Sequence, residues 1–162
     1  MSRLKKIETK DELSKVFFML ENINEWDKPL NALSFSNLMS FENSLLRIKN
    51  LGIQDFYIIF DCNNQLVGFI YSYEFRPSDL HCKVHMYLAQ ENYSARIVND
   101  FLEKLFCEYP LLKMFVYIDD LNTKLKYGLL KNGFKKECIL TDYYFIKGKH
   151  SDCLVLGRER ND

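Results

Sequence analysis

The sequence predicts an α/β protein of the α+β kind, in which a mixed, mostly antiparallel sheet carries helices on both faces. Three observations lead there. Short runs rich in aromatic and β-branched residues, such as "FYIIFD", "LVGFIYSYEF" and "KMFVYID", alternate or stay apolar over strand lengths. Between them lie stretches whose apolar residues recur every three or four positions. The resulting order is strand, helix, helix, three strands, helix, strand, helix, two strands, and interspersed helices of this kind cover both faces of a mixed sheet.

A short strand near "LKKIE" comes first. The run Thr9, Lys10, Asp11, Glu12 then fits a capping box, and Leu13, Val16, Phe17 and Leu20 recur at helical spacing behind it. A second helical pattern places Leu38, Phe41, Leu45 and Ile48 on one side and ends near Asn50 and Gly52. "FYIIFD" and "LVGFIYSYEF" flank "CNNQ", which predicts an antiparallel hairpin with an asparagine-rich turn. "LHCKVHMYL" puts Leu80, Cys82, Val84, Met86 and Leu88 on one face and His81, Lys83, His85 and Tyr87 on the other. From Ser94, a plausible N-cap, Ile97, Val98, Phe101, Leu102, Leu105 and Phe106 form a stripe that runs until Pro110. "KMFVYID", a helix from about Asn122 to Lys131 closed by Asn132 and Gly133, and the strands "KECILTDYYFI" and "DCLVLGR" complete the chain.

Composition narrows the function classes. The 162 residues suit one domain, and no stretch reads as a linker or a second core. Acidic and basic side chains balance at 22 each, so no broad field draws in nucleic acid or a membrane surface. With no apolar run of membrane-spanning length and no signal-peptide core near the start, the expected location is the cytoplasm. Five scattered cysteines without a CxxC spacing signal neither disulfides nor zinc, and the expectation is reduced, mostly buried thiols. His81 and His85 imitate an HxxxH metal pair, but on a strand they stand roughly 13 Å apart and cannot share an ion.

The order of elements, together with "YIDDLNTKLKYGLLKNGFKKECILTDYYFIKGKHSDCLVLGRER", resembles the GNAT superfamily of acetyl-CoA-dependent N-acetyltransferases, and most of all the ribosomal-protein alanine acetyltransferase branch. Asn122 and the Gly133-Phe134 pair have the family's spacing of eleven residues, and Gly148, Lys149 and Asp152 match its tail. The resemblance implies a sheet splayed between the strand ending near Leu88 and the one ending near Asp119, with the pantetheine arm of acetyl-CoA in the gap. It further implies that the backbone around Tyr87 and Leu88 holds the arm, that Asn122 contacts it, and that the loop after Gln90 takes the pyrophosphate.

The family's loop reads QxxGxG or QxxGxA, and this chain has Gln90, Tyr93 and Ala95 in those places, so the first glycine is replaced by tyrosine. A register one residue off would use Asn92 and Ser94 instead. Phosphate binding needs backbone donors converging at a helix N-terminus. Tyr93 keeps its donor but resists positive φ, and Arg96 in the first helical turn adds a cation beside a bound anion. The family's general base on the strand after the loop helix corresponds to Tyr117, and its tyrosine acid to Leu129. Tyr127 lies roughly 200° around the helix from Leu129 and is no obvious substitute. His85, with an ordinary pKa of about 6.5, and Glu74, at the end of the neighbouring strand, are the candidate bases.

Other features have modest readings. Asp119 and Asp120 form a strand end that could orient an amine, and Tyr71, Tyr73, Phe75, Tyr143 and Tyr144 could line an acceptor pocket, although each set also suits turn or sheet-core roles. The leading expectation is an enzyme that moves the acetyl group from acetyl-CoA by direct attack of a primary amine, either a peptide N-terminus or a small molecule. The alternative is a GNAT-fold binding or regulatory module without turnover. Either form is open to homodimerisation.

Overall fold

A computed structural model describes residues 3–21, 39, 43, 55–76, 78–88, 95–146 and 148–160. The strands are β1 (Arg3–Lys6), β2 (Asp55–Phe60), β3 (Leu66–Arg76), β4 (His81–Leu88), β5 (Lys113–Asp119), β6 (Lys135–Ile146) and β7 (Lys149–Glu159), and the helices are α1 (Lys10–Glu21), α2 (Ala95–Glu108) and α3 (Thr123–Lys131). They form a mixed seven-stranded sheet in the order β1-β2-β3-β4-β5-β7-β6. The second helical pattern, Leu38 to Ile48, lies outside the described residues except for Met39 and Asn43, both helical. The chain divides into two compact units, the first comprising residues 1–74 and 85–90 and the second residues 75–84 and 91–162. Strand β4 contributes to each.

In the first unit the capping box forms as its sequence requires. Thr9 Oγ1 accepts from the Glu12 amide at 3.3 Å, and the Glu12 carboxylate accepts in return from the amides of Glu8 and Thr9 at 3.0 and 3.3 Å. These bonds satisfy donors that a helix start leaves without partners. Helix α1 then buries Val16 and Phe17 against Ile58 of β2 and against Phe69 and Tyr71 of β3. Each such side chain contributes about 1.5–3 kcal/mol when fully removed from water. The β2–β3 turn is closed by Asp61, whose Oδ1 accepts from the amides of Asn63 and Gln65, with Asn64 at φ 62°. Aspartate and asparagine suit such a turn because a short side chain can bond locally and tolerate left-handed backbone.

In the second unit β4 pairs with β5 in parallel over His81–Lys83 and Lys113–Phe115. The predicted strand begins one residue late, because Leu80 stands at φ 53° and its carbonyl accepts from the amides of Leu112 and Lys113 instead. Strand β7 pairs antiparallel with β5 along Lys113–Asp119 and with β6 on its other edge. The stripe foreseen on α2 is the buried one: Ile97, Val98, Phe101, Leu102, Leu105 and Phe106 are all at most 6 % exposed. Arg158 of β7, itself buried, reaches Asn99 and Glu103 of α2. Helix α3 starts at Asn122, whose Oδ1 accepts from the Leu125 amide, and ends at Asn132 and Gly133, the latter at φ 80°.

The cysteine expectation is corrected. Only Cys82 and Cys153 are buried, whereas Cys62, Cys107 and Cys138 are exposed. Cys62 belongs to the hairpin turn, Cys107 lies off the apolar stripe of α2, and Cys138 faces outward on β6. Burial pushes the Cys82 thiol up to about 12, so it stays protonated.

Candidate active site

Strand β4 carries the first candidate. Cys82, Val84 and Met86 are buried on one side, and His81, Lys83, His85 and Tyr87 are half-buried on the other, as the alternation requires. The polar side is not a wet one along its whole length. The His85 ring packs 5.2 Å from that of Tyr71 and 6.2 Å from that of Phe69, and Tyr87 lies 5.7 Å from Phe69. Desolvation among these rings lowers the His85 pKa from 6.5 to about 4. At neutral pH the imidazole is therefore uncharged, and the same lowering makes it a weaker proton acceptor than an ordinary histidine. The Tyr71 hydroxyl, buried beside it, has no hydrogen-bond partner among the described residues, and burial raises its pKa well above 10.

Glu74, the second candidate, is half-buried near the end of β3 and adopts φ 48°. A non-glycine residue held in left-handed geometry within a strand costs about 1–3 kcal/mol, a cost found most often at functional sites. Tyr87 also lines an open cleft of about 890 Å³ in the first unit. Its walls come from β1, α1, the β2–β3 hairpin and β4.

Of the candidate cofactor residues, Tyr87 and Leu88 belong to the first unit and Ala95, Arg96 and Asn122 to the second. Helix α2 begins at Ala95, and its first turn contains no acidic side chain. Its amides and the positive end of its dipole suit an anion. Arg96 is exposed and lies 3.8 Å from Asp100, an exposed pair of the weak kind that a phosphate can replace. Gln90, Tyr93 and Ser94 lie outside the described residues. Leu88 closes β4. Asn122 has a local structural duty as the N-cap of α3, in addition to any contact with a cofactor.

The positions corresponding to the family's acid and base remain unfilled. Leu129 is fully buried, and Tyr117 is half-buried with the Lys83 ammonium 4.7 Å from its ring. Tyr127 is 62 % exposed, with the Lys131 ammonium over its ring. Asp119 and Asp120 serve the turn: Asp119 accepts from the Leu121 amide and the Ser151 hydroxyl, and Asp120 binds Lys126. The aromatic set separates, with Tyr71 and Tyr73 in the first unit and Phe75, Tyr143 and Tyr144 in the second. Among the described residues no group of three or more histidine, cysteine, aspartate or glutamate side chains could hold a metal ion. No helix among them is long and apolar enough to cross a membrane.

The architecture is the GNAT fold. The chain is structurally similar to a chimera of the spermidine N-acetyltransferase SpeG of Vibrio cholerae and hSSAT, with a TM-score of 0.81 and 16% identity over 98% of this chain and 95% of that one. The dodecameric spermidine N-acetyltransferase of Vibrio cholerae in an intermediate state matches with a TM-score of 0.78 and 16% identity over 98% and 93% of the two chains. A mutant form of the spermidine/spermine N-acetyltransferase SpeG from the same organism gives 0.77 and 17%, covering 98% and 95%. Neither a family model nor a curated protein sequence matches the chain.

Proposed function

We propose that the protein is an acetyl-CoA-dependent N-acetyltransferase for a small-molecule primary amine, and that the two units work as one acyltransferase domain. The observation that carries this reading is the GNAT fold over 98% of the chain, shared with proteins named as spermidine N-acetyltransferases. The amine nitrogen attacks the thioester carbonyl directly, a C–N bond forms, the C–S bond breaks, and the thiolate released takes up a proton to become the CoA thiol. Either His85 or Glu74 takes the amine proton. We assign the cofactor arm to the backbone of Tyr87 and Leu88 and to Asn122. The pyrophosphate falls to the loop of Gln90, Tyr93, Ser94 and Ala95, with Arg96 beside it. The residues present fit a diphosphate, since the first turn of α2 offers amides and a cation and no opposing carboxylate.

Free thiols and the use of acetyl-CoA accord with a cytoplasmic protein. A homo-oligomer is also part of this reading: β6 is one of the two edge strands of the described sheet, and its Ile139, Tyr143 and Phe145 are exposed.

Acetyl-CoA should raise the melting temperature of the protein. Arg96→Glu should weaken its binding by about 1–3 kcal/mol, the range for charge-assisted hydrogen bonds, with folding intact because the side chain is exposed. Calorimetric titration gives both affinities. Tight binding without thiol release on any amine would replace the enzyme with a binding module, and no binding at all would remove both.

A further inference from the structure

We infer that the cleft in the first unit is an acceptor site for an amine that also carries a carboxylate and an apolar body, the chemistry of an aromatic amino acid, and that it disfavours polyamines. The inference rests on the acetyltransferase reading for its reaction, but its physical basis is the lining of the cleft. Strand β1 contributes Arg3 and Lys5, two residues apart and so on one side of the strand. Helix α1 contributes Glu12, Lys15, Phe18 and Met19, spaced to share one helical face. Among the described residues of the lining, three cations thus face one carboxylate.

That carboxylate is already engaged. Glu12 accepts from the amides of Glu8 and Thr9 and pairs with Lys5. These bonds, the Glu8 amide first and Lys5 next, hold its pKa down at about 2. It has little left to offer an incoming ammonium group. Arg3 is positioned by Asn64 at 2.6 Å and by the Phe60 ring at 5.0 Å, which leaves the rest of its guanidinium fork for an anion. Lys15 is exposed and makes no ion pair among the described residues. A polyamine entering here would meet uncompensated like charge, whereas a carboxylate would be bound by it.

The apolar half of the ligand has its own wall. Phe18 is 57 % exposed although large and apolar, and it lines the cleft together with Met19, Phe60 and Leu66. At about 890 Å³ the space is within the range of small-molecule sites. Tyr87 lines the cleft from β4, and His85 lies two residues away on the same side of that strand, roughly 6.6 Å along it. A ligand whose carboxylate is held by Arg3 and Lys15 therefore lies in the same cleft as Tyr87.

Phenylalanine, phenethylamine and spermidine make the test. Phenethylamine differs from phenylalanine by the carboxylate, so calorimetry without acetyl-CoA isolates the role of that group, and thiol release with acetyl-CoA reports turnover. Phenylalanine should bind at least about tenfold more tightly than either amine, as expected for a charge-assisted contact. Lys15→Glu should abolish the preference and Lys15→Arg should keep it, and both substitutions lie on an exposed surface that tolerates change. Phenylalanine bound without thiol release would overturn the acceptor role of the cleft and leave it a binding site alone. Thiol release with spermidine and no affinity for phenylalanine would overturn the site and retain the enzyme. An unchanged preference in Lys15→Glu would also overturn it.

Discussion

Replacing His85 by phenylalanine should remove an acid sensitivity built into the first unit. The wild-type imidazole has a folded pKa of about 4, against 6.5 when unperturbed. Between these values the unfolded chain binds a proton that the folded chain refuses, so stability rises with pH. It is fully present above about 6.5 and is lost as pH falls toward 4. For these two pKa values the loss between pH 7 and pH 5 is about 2 kcal/mol, and the whole shift corresponds to about 3 kcal/mol at most. Phenylalanine keeps the ring contacts with Phe69 and Tyr71 but has nothing to protonate. Urea unfolding of both proteins at pH 7, 6 and 5 gives the difference in slope, and groups common to both cancel. The Glu12 carboxylate, lowered to about 2, is one such group; its contribution is lost only as pH falls below about 4.5. Parallel losses in the two proteins would show that the imidazole is hydrated in the fold, and the desolvation argument would fall. The same variant should lose much of kcat if His85 is the base.

Asn122→Ala should destabilise the fold by about 1 kcal/mol through loss of the α3 cap, while Asn122→Asp should retain stability, as thermal melts will report. An alanine variant as stable as wild type would mean the Leu125 amide has another partner. Weaker acetyl-CoA affinity in the aspartate variant would add the cofactor contact to the capping role. Phe145→Lys on the exposed edge strand should shift sedimentation of a wild-type oligomer toward the single chain at an unchanged melting temperature. A wild-type protein that sediments as a monomer at every concentration would refute the oligomer.

Local rules made much of the fold readable. The capping box at Thr9 and Glu12, the turn at Asp61, the stripe on α2 and the Asn132-Gly133 stop each depend on residues within one turn of one another, and each formed as expected. What escaped the sequence depends on distant partners. Alternation put His85 on a polar side of β4, but the rings that desolvate it come from β3, which no spacing rule links to it. The cleft is less visible still, since Arg3, Lys15 and Tyr87 meet only through three separate elements. Outward-facing thiols were missed because cysteine is usually a buried residue, and the prior outweighed their positions in a turn and off a helix stripe.

Strand β7 lies between β5 and β6 although it follows both in the chain. During synthesis the edge of β5 must wait for residues 149–159, some thirty positions beyond its own end, and β6 has no partner until the same segment arrives. Ribosomal elongation at about 5–20 residues per second leaves these edges open for seconds. The second unit is therefore assembled by insertion of its middle strand, and a fragment stopping before Lys149 would present two unpaired edges to other chains. Chaperone dependence and aggregation of nascent protein should accordingly concentrate in that interval of synthesis and vanish once Arg158 reaches Asn99 and Glu103.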